Sequence, residues 1–483
     1  MKGTMNVNQY LTPEQTQRIH EESINILQKT GILVRNQKAL DIFSKRGCQL
    51  DGDVVKFPTK VIEETVKQFS PTFTFRAQDP SKDITIPDEG PIMVTGSSAP
   101  NIIDPKTGTE RAATSKDIGN IAHLINHLDG FDVFSISTLA DDAKDDQFSM
   151  YRFYPALKNC AKPVRSNTPT ISDLEKVLKM AEIIAGSKAA YQERPFITHH
   201  YCPMISPLSM DFESTEAVIY LMEKKLPTYC TFVPTAGMTS PLSLLSGLTV
   251  GNAEFLALAV LAHAINPGTP LIYAVLSTMA DMRTGDYATG AIETSILQVA
   301  HSQMAQFYNI PSGGYIGLTD SHCNDAQSGY ETGLNLANAV NGGIDMMNAG
   351  GLLSSLMVFD FAKAVIDNEI ALMVKKMKKG INFKEEDFLI DLVAEGGHGA
   401  QFMGHPHTFK NARKVSFFPK IAVRGLRSNW EKKNSTTAYD RAMREAAQIL
   451  SKPCQPSFSD ETDQNIKDAF PGLIPENIDP TSF

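Results

Sequence analysis

Short apolar runs alternate with longer stretches of helical periodicity along most of the chain. The runs Phe131–Leu139, Pro163–Asn167, Phe196–Tyr201, Pro227–Pro234, Leu271–Ser277, Ser312–Leu318 and Ile344–Asn348 have the length and residue types of strands. Between them, stretches such as Ser172–Ile184, Glu213–Glu223 and Asn252–Ile265 are long and periodic enough for helices. Strand and helix alternate at a period of about 30 to 40 residues with no solenoid motif, the rhythm of a wound α/β fold. A doubly wound open sheet would place a glycine-rich phosphate loop after its first strand. Here Ser137-Thr138-Leu139-Ala140-Asp141 follows, without glycine. The pattern therefore predicts a (β/α)8 TIM-type barrel over residues 126–395. Seven strands are clear; Phe388–Val393 is either the eighth or a helix.

The flanks read as additions. Thr12-Pro13-Glu14-Gln15 predicts a capped helix start, with the helix ending near Gly31. Pro91 to Thr114 reads as a β-hairpin: Ile92-Met93-Val94, Asn101-Ile102-Ile103, a turn at 104–108, then Glu110-Arg111-Ala112. Residues 1–125 are expected to be an N-terminal helical and hairpin elaboration packed on the barrel, and 396–483 a C-terminal helical extension.

The stretch from Pro311 to Gly380 is the most informative. Twice an apolar run ends in glycines and small polar residues and feeds a helix. Ser328-x-x-Glu331 is a candidate capping box for the first helix. The second starts near Asp360, with Phe361, Val365, Ile366, Ile370, Met373 and Met377 as its apolar stripe. Lysines before Gly380 mark its end.

Composition narrows the function. The chain has 483 residues, 42% hydrophobic and 20% charged, as an ordinary soluble globular protein has. A net charge of −9 argues against nucleic-acid binding. No stretch reads as long and apolar enough to span a membrane, and Ala257–Ile265 is interrupted by His263. The N-terminus lacks a signal-peptide core, and six cysteines without C-x-x-C spacing suit a reducing cytoplasm.

Strand C-termini of such a barrel form one mouth, where chemistry sits. The residues expected there include Arg165, His199, Tyr201, Phe232, Tyr273, Asp281, Arg283, Tyr315, Asp320, His322, Asn348 and Phe359, with His200 on the opposite strand face from His199. Aromatics with carboxylates suit a quaternary ammonium, which has no N–H to donate and is held by ring faces and negative charge. His322-Cys323, His398, His405 and His407 could ligate zinc, but their spacing matches no zinc motif, so no metal is expected.

Two blocks carry a family resemblance. One is Asn348-Ala349-Gly350-Gly351-Leu352-Leu353-Ser354-Ser355, with Phe359-Asp360 and Asp367-Asn368-Glu369 after it. The other is Phe402-Met403-Gly404-His405-Pro406-His407-Thr408, with Phe417-Phe418-Pro419 and Trp430. Together they resemble the trimethylamine:corrinoid methyltransferase family. The founding members carry pyrrolysine just before the second helix, and by that match its place here is Gly350. The resemblance implies the branch without pyrrolysine, whose substrates are quaternary amines, glycine betaine first, giving dimethylglycine. It implies Gly350 and Asn348 at the reaction centre, with Arg165, Arg283, His199 and His322 as candidate carboxylate clamps. It also implies a cobalamin corrinoid carried by a partner protein as methyl acceptor, and a homo-oligomer. Two other readings stay open. One is a zinc-dependent corrinoid methyltransferase for methanol, a thiol or a methoxy-arene. The other is a non-catalytic betaine-binding barrel.

Overall fold

The computed structural model describes residues 9–478. It is an α/β fold of mixed helices and strands. Seven short strands run parallel to their neighbours: β1 (Ile92–Val94), β2 (Phe134–Ser135), β3 (Val164–Ser166), β4 (Ile197–Tyr201), β5 (Thr228–Cys230), β6 (Gly313–Gly317) and β7 (Met346–Ala349). Ladders join β2 to β3, β3 to β4, β4 to β5, β6 to β7 and β7 to β1. A parallel bridge between Val94 and Val133 links β1 to the entry of β2. The run Leu271–Ser277 forms no ladder, but bridges Phe232 through Val275 and Ser312 through Tyr273.

The seven strand expectations thus hold in place. Of the two alternatives for Phe388–Val393 the helix is found: the backbone there forms a 3-10 turn (Glu385–Phe388) and a short helix (Ile390–Gly396). The strand beside β7 is β1, which sequence reasoning put in the N-terminal hairpin. Its three residues are all buried, as in a strand covered on both faces. The rest of that hairpin forms: Asn101–Ile103 pairs antiparallel with Glu110–Ala112. Asp104 accepts from the Lys106 and Thr107 amides in the turn between them.

The main helices are α1 (Pro13–Lys29), α2 (Leu244–Ile265), α3 (Ile292–Tyr308), α4 (Ala326–Gly342), α5 (Phe361–Lys379) and α6 (Ala438–Leu450). Thr12 and Gln15 close the expected capping box on α1. For α4 the cap is Asp325, whose carboxylate accepts from the Ser328 amide; the Ser328 box does not form. Glu331 instead accepts from Thr319 Oγ1 and the Asp320 amide at the end of the preceding strand. By length and composition α2 could cross a membrane, contrary to the sequence reading, but 83% of its apolar window is buried inside the fold. In α5 the expected stripe is only partly right. Phe361 and Val365 are buried, while Met373 and Met377 are about half exposed. The inner face instead carries Ala364, Asp367, Ala371 and Val374, because a polar pair occupies part of it.

A small apolar cluster lies on the inner face of the parallel strands. Ile92, Val94, Val133, Ile272 and Met346 meet Phe73, Phe75 and Ile86 from the antiparallel pair Phe73–Phe75 and Ile84–Ile86. Tyr229 and Ala274 belong to the same cluster, so this apolar packing reaches the middle of β5.

Candidate active site

Register fixes which side chains share the inner face. Arg165 pairs with Thr198, and His200 pairs with Tyr229. Neighbours in register point the same way, so Arg165, His200 and Tyr229 lie together. The contacts agree. The Arg165 guanidinium sits over the Tyr229 ring, 4.7 Å from its centroid, and the His200 ring centroid is 5.0 Å from that of Tyr229. A Cβ on Gly313 would touch Met346, Ile272 and the Tyr229 hydroxyl, which places the inner face of β6 here too. Two residues on, Tyr315 lies close enough to feel the Arg165 charge and bonds to Ser97.

Arg165 is fully buried and, among the described residues, forms no ion pair with a carboxylate. The Tyr229 and Tyr315 phenols lie against its guanidinium. A buried guanidinium without a carboxylate partner is costly. Burial, and after it the Arg165 charge, push the His200 pKa well below its ordinary value, disfavouring the charged imidazolium. Burial raises the Tyr229 and Tyr315 phenols.

Toward the strand ends, Thr231 Oγ1 lies 3.1 Å from His200 Nε2 and 2.8 Å from Cys202 Sγ. Tyr287 bonds to Thr278 and lies within electrostatic reach of Tyr315, Cys202 and Asp320. His200, Tyr287 and Cys202 keep solvent-accessible surface although protein crowds them enough to shift their titration. These partly exposed side chains therefore sit close to Arg165 and Tyr315. Nearby, Arg152 is a second buried cation, donating to Ser166 Oγ, Ser98 Oγ and the Asn167 carbonyl. It ties together the segments that follow β1 and β3.

Several expected site residues lie elsewhere. His199, Tyr201, Phe232 and Tyr273 point into the helical layer. His199 is fully buried with neither ring nitrogen hydrogen-bonded, its pKa driven down to about 3 by burial, and Tyr201 meets Thr168 at 2.8 Å. Phe232 packs edge-on to Phe255 of α2, and the Tyr273 hydroxyl bonds to Asn252 of the same helix. Arg283 is exposed and paired with Asp281 at 2.6 Å. Asp320 lies at the rim as a brace, accepting from Thr289, Gly290 and Ser355. His322 is exposed, 2.8 Å from Ser354 Oγ. Phe359 is buried under Gly351. Of the histidines weighed as zinc ligands, His405 caps the helix Pro406–Val415. The sequence reading names both His199 and His200 at the mouth and misses Tyr229, Cys202 and Tyr287. Alternation separates His200 from His199, and only the register shows which of the two faces inward.

Gly350 follows β7 with φ +113°, and a Cβ there would lie 2.6 Å from the Phe131 ring. The backbone as folded therefore has no room for a side chain at this position, and its conformation favours glycine. Asn348 is buried on β7, its Nδ2 3.4 Å from the Thr95 carbonyl and its Oδ1 unpartnered. The three residues Asp367-Asn368-Glu369 hold this region from α5. Asp367 accepts from the Gly351 amide and forms a buried ion pair with Lys363. Asn368 accepts from the Gly130 amide, beside Phe131. Glu369 accepts from the Lys420, Ile421 and Ala422 amides.

The profile of the trimethylamine methyltransferase (MTTB) family matches residues 1–470. The chain belongs to that family. Glycine betaine methyltransferase of Desulfitobacterium hafniense (strain Y51) is 30% identical over 465 residues, 95% of each chain. Trimethylamine methyltransferase of another strain of that organism, DSM 10664 / DCB-2, is 28% identical over 90% of this chain and 88% of its own. Proline betaine:corrinoid methyltransferase of Eubacterium limosum is 26% identical over 86% and 87%. Both tertiary-amine and betaine enzymes thus stand among the relatives of this methyltransferase, and the family resemblance read from the two sequence blocks is upheld.

Proposed function

We propose that this protein transfers a methyl group from glycine betaine to the cob(I)alamin of a separate corrinoid protein, releasing dimethylglycine. The observation that carries this reading is Arg165: a buried cation without an anion, beside the Tyr229 and Tyr315 rings. A betaine brings both complements in one small molecule. Its carboxylate pairs with the guanidinium. Its trimethylammonium then lies against ring faces, where cation–π attraction replaces the water it gives up. Neutral His200 adds no positive charge to repel the ammonium. The relatives that act on glycine betaine and proline betaine support the same substrate class.

We further read the ladders and bridges as one closed (β/α)8 barrel with Arg165 and its neighbours at the mouth. The succession of parallel pairs from residue 92 to residue 346 and back supports this. Gly350 and Asn348 then stand beside the reaction centre as backbone and wall, not as reacting groups.

The corrinoid supplies a reduced cobalt nucleophile that takes the methyl carbon as the C–N bond breaks. The bonding pair stays on nitrogen, so dimethylglycine leaves as a neutral amine and no acid is needed. What the chain contributes is position and desolvation. Arg165 fixes the carboxylate end, the rings fix the ammonium, and one methyl is presented toward solvent. At the rim, Met238, Leu242 and Met282 are exposed apolar side chains, and Leu242 and Met282 crowd Gly237. Such a surface suits a large flat macrocycle arriving on another protein.

Calorimetric titration tests the binding half of this reading. Glycine betaine is expected to bind the purified protein, and Arg165→Met to abolish binding while the fold persists by circular dichroism. Equal betaine affinity in that variant would remove Arg165 from the site.

A further inference from the structure

Among the described residues, one stretch of the chain goes almost uncovered. Across residues 381–431 only Ile421 is buried. The 3-10 turn Glu385–Phe388 and the helices Ile390–Gly396, Pro406–Val415 and Arg427–Glu431 bury none of their residues. The stretch is nonetheless rich in large apolar side chains. Ile381 is 94% exposed, Phe383 78%, Phe409 74% and Phe418 64%. The rings of Phe383, Phe388, Phe409 and Phe418 alone leave roughly 500 Å2 of apolar surface in water, taking a ring residue at about 200 Å2. Phe383 and Phe388 are in contact, their ring centroids 5.6 Å apart and edge to face, so these two form one exposed apolar patch. The segment is no loose tail. Three amides near residue 421 are bound by the Glu369 carboxylate, and Lys376 of α5 reaches the Lys414 carbonyl.

Charge is divided along the same stretch. Glu385, Glu386, Asp387, Asp391 and Glu395 crowd its first part, with Lys384 the one cation among them. Lys410, Arg413, Lys414, Lys420, Arg424 and Arg427 follow, and residues 396–430 contain no acid. All of these charged side chains are exposed. Among the described residues, Lys410, Arg413, Lys414 and Arg424 form no ion pair, while Lys420 and Arg427 pair with Glu445 and Glu431.

We infer that residues 381–427 form a two-fold interface with a second copy of this chain, the acidic part of each copy lying on the basic part of the other. A two-fold contact requires one surface that complements itself, and a segment carrying both signs in separate halves does so. The corrinoid protein is a poorer occupant. It must leave in every turnover, whereas an apolar surface of this size needs lasting cover.

Sedimentation of the purified full chain at micromolar concentration, without corrinoid protein, tests this. A dimer, or a larger even-numbered assembly built from dimers, is expected. Two charge-reversed variants sharpen the test: E385K/E386K/D387K, and K410E/R413E/K414E. Each alone is expected to raise the dissociation constant about 100-fold or more. Mixing the two is expected to restore association, because the reversed halves complement each other across the two-fold. Restoration by mixing also shows that both variants are folded. A wild-type monomer, an oligomer that neither reversal weakens, or variants that stay apart when mixed would each overturn the interface. A monomer that associates only when corrinoid protein is added would assign the surface to that partner instead.

Discussion

Arg165 lies over the face of Tyr229, 4.7 Å from the ring centroid, with the Tyr315 phenol also beside it, and among the described residues it forms no ion pair. Tyr229 thus holds the cation in place without neutralising it, and the charge stays available to a ligand. Replacing Arg165 by Met removes the buried cation that stacks on Tyr229. We expect kcat/KM for glycine betaine to fall by about 2–4 kcal/mol, roughly 30- to 1000-fold, the range for truncating one partner of a buried charge pair. Lysine is not expected to rescue it, because it presents a single point charge where the guanidinium offers a planar fork. Steady-state kinetics on Arg165→Met and Arg165→Lys decide the matter; a loss below threefold in both removes the clamp.

The rings carry the other half of the substrate. Tyr315→Leu keeps an apolar wall but loses the π face. It is expected to weaken betaine by about 1–2 kcal/mol, the value of a desolvated cation–π contact. Phe232→Leu and Tyr273→Leu are the controls, because both side chains pack among helices. Those two are expected to lower melting temperature and leave KM unchanged. A KM effect at Tyr273 equal to that at Tyr315 would contradict the inner-face assignment.

Gly350→Ala probes the turn after β7. Its left-handed φ and the nearby Phe131 ring both oppose a Cβ. Destabilisation of about 1–3 kcal/mol is expected, the range for a strained backbone position. Chemical denaturation measures it directly. An unchanged midpoint would mean the backbone adapts freely, and the glycine would then need another explanation.

How much of this could be read from the sequence depends on which interactions set it. Strand positions were legible because apolar runs such as Phe196–Tyr201 are buried on both faces and need only local reading. β1 was missed because Ile92-Met93-Val94 sits next to a true hairpin in sequence, while its partner β7 lies some 250 residues away. Arg165 was legible as a charged residue inside an apolar strand. His199 and His200 are both legible as strand-end residues on opposite faces, but alternation does not say which face is inner. That choice is made by register, as in the pairing of His200 with Tyr229. The block Asp367-Asn368-Glu369 was recognisable as a motif, but its task of holding backbone amides 16 to more than 200 residues away was not.

Glu254 of α2 gives the fold a pH dependence. It is buried and accepts from Ser206 Oγ and the Leu208 amide, and burial lifts its pKa from 4.5 to about 7. Because the folded value is the higher one, folding favours the protonated acid. That contribution is complete below about 4.5 and is lost as pH rises through about 7. Glu254→Gln mimics the protonated form and removes the loss. Melting temperatures of wild type and variant are expected to diverge between pH 5 and pH 8, with the variant holding up better at the upper end. Parallel curves would show that Glu254 does not titrate in this range.

The most direct measurement of the central claim is methylation of free, chemically reduced cob(I)alamin by the purified protein, followed by its visible spectrum. Glycine betaine, choline and trimethylamine are compared side by side. Choline carries the same trimethylammonium without a carboxylate, and trimethylamine offers neither the fixed charge nor the carboxylate. The account predicts methylcobalamin and stoichiometric dimethylglycine from glycine betaine, much slower conversion with choline, and essentially none with trimethylamine. Conversion of trimethylamine as fast as glycine betaine, or betaine binding with no methyl transfer at all, would contradict it.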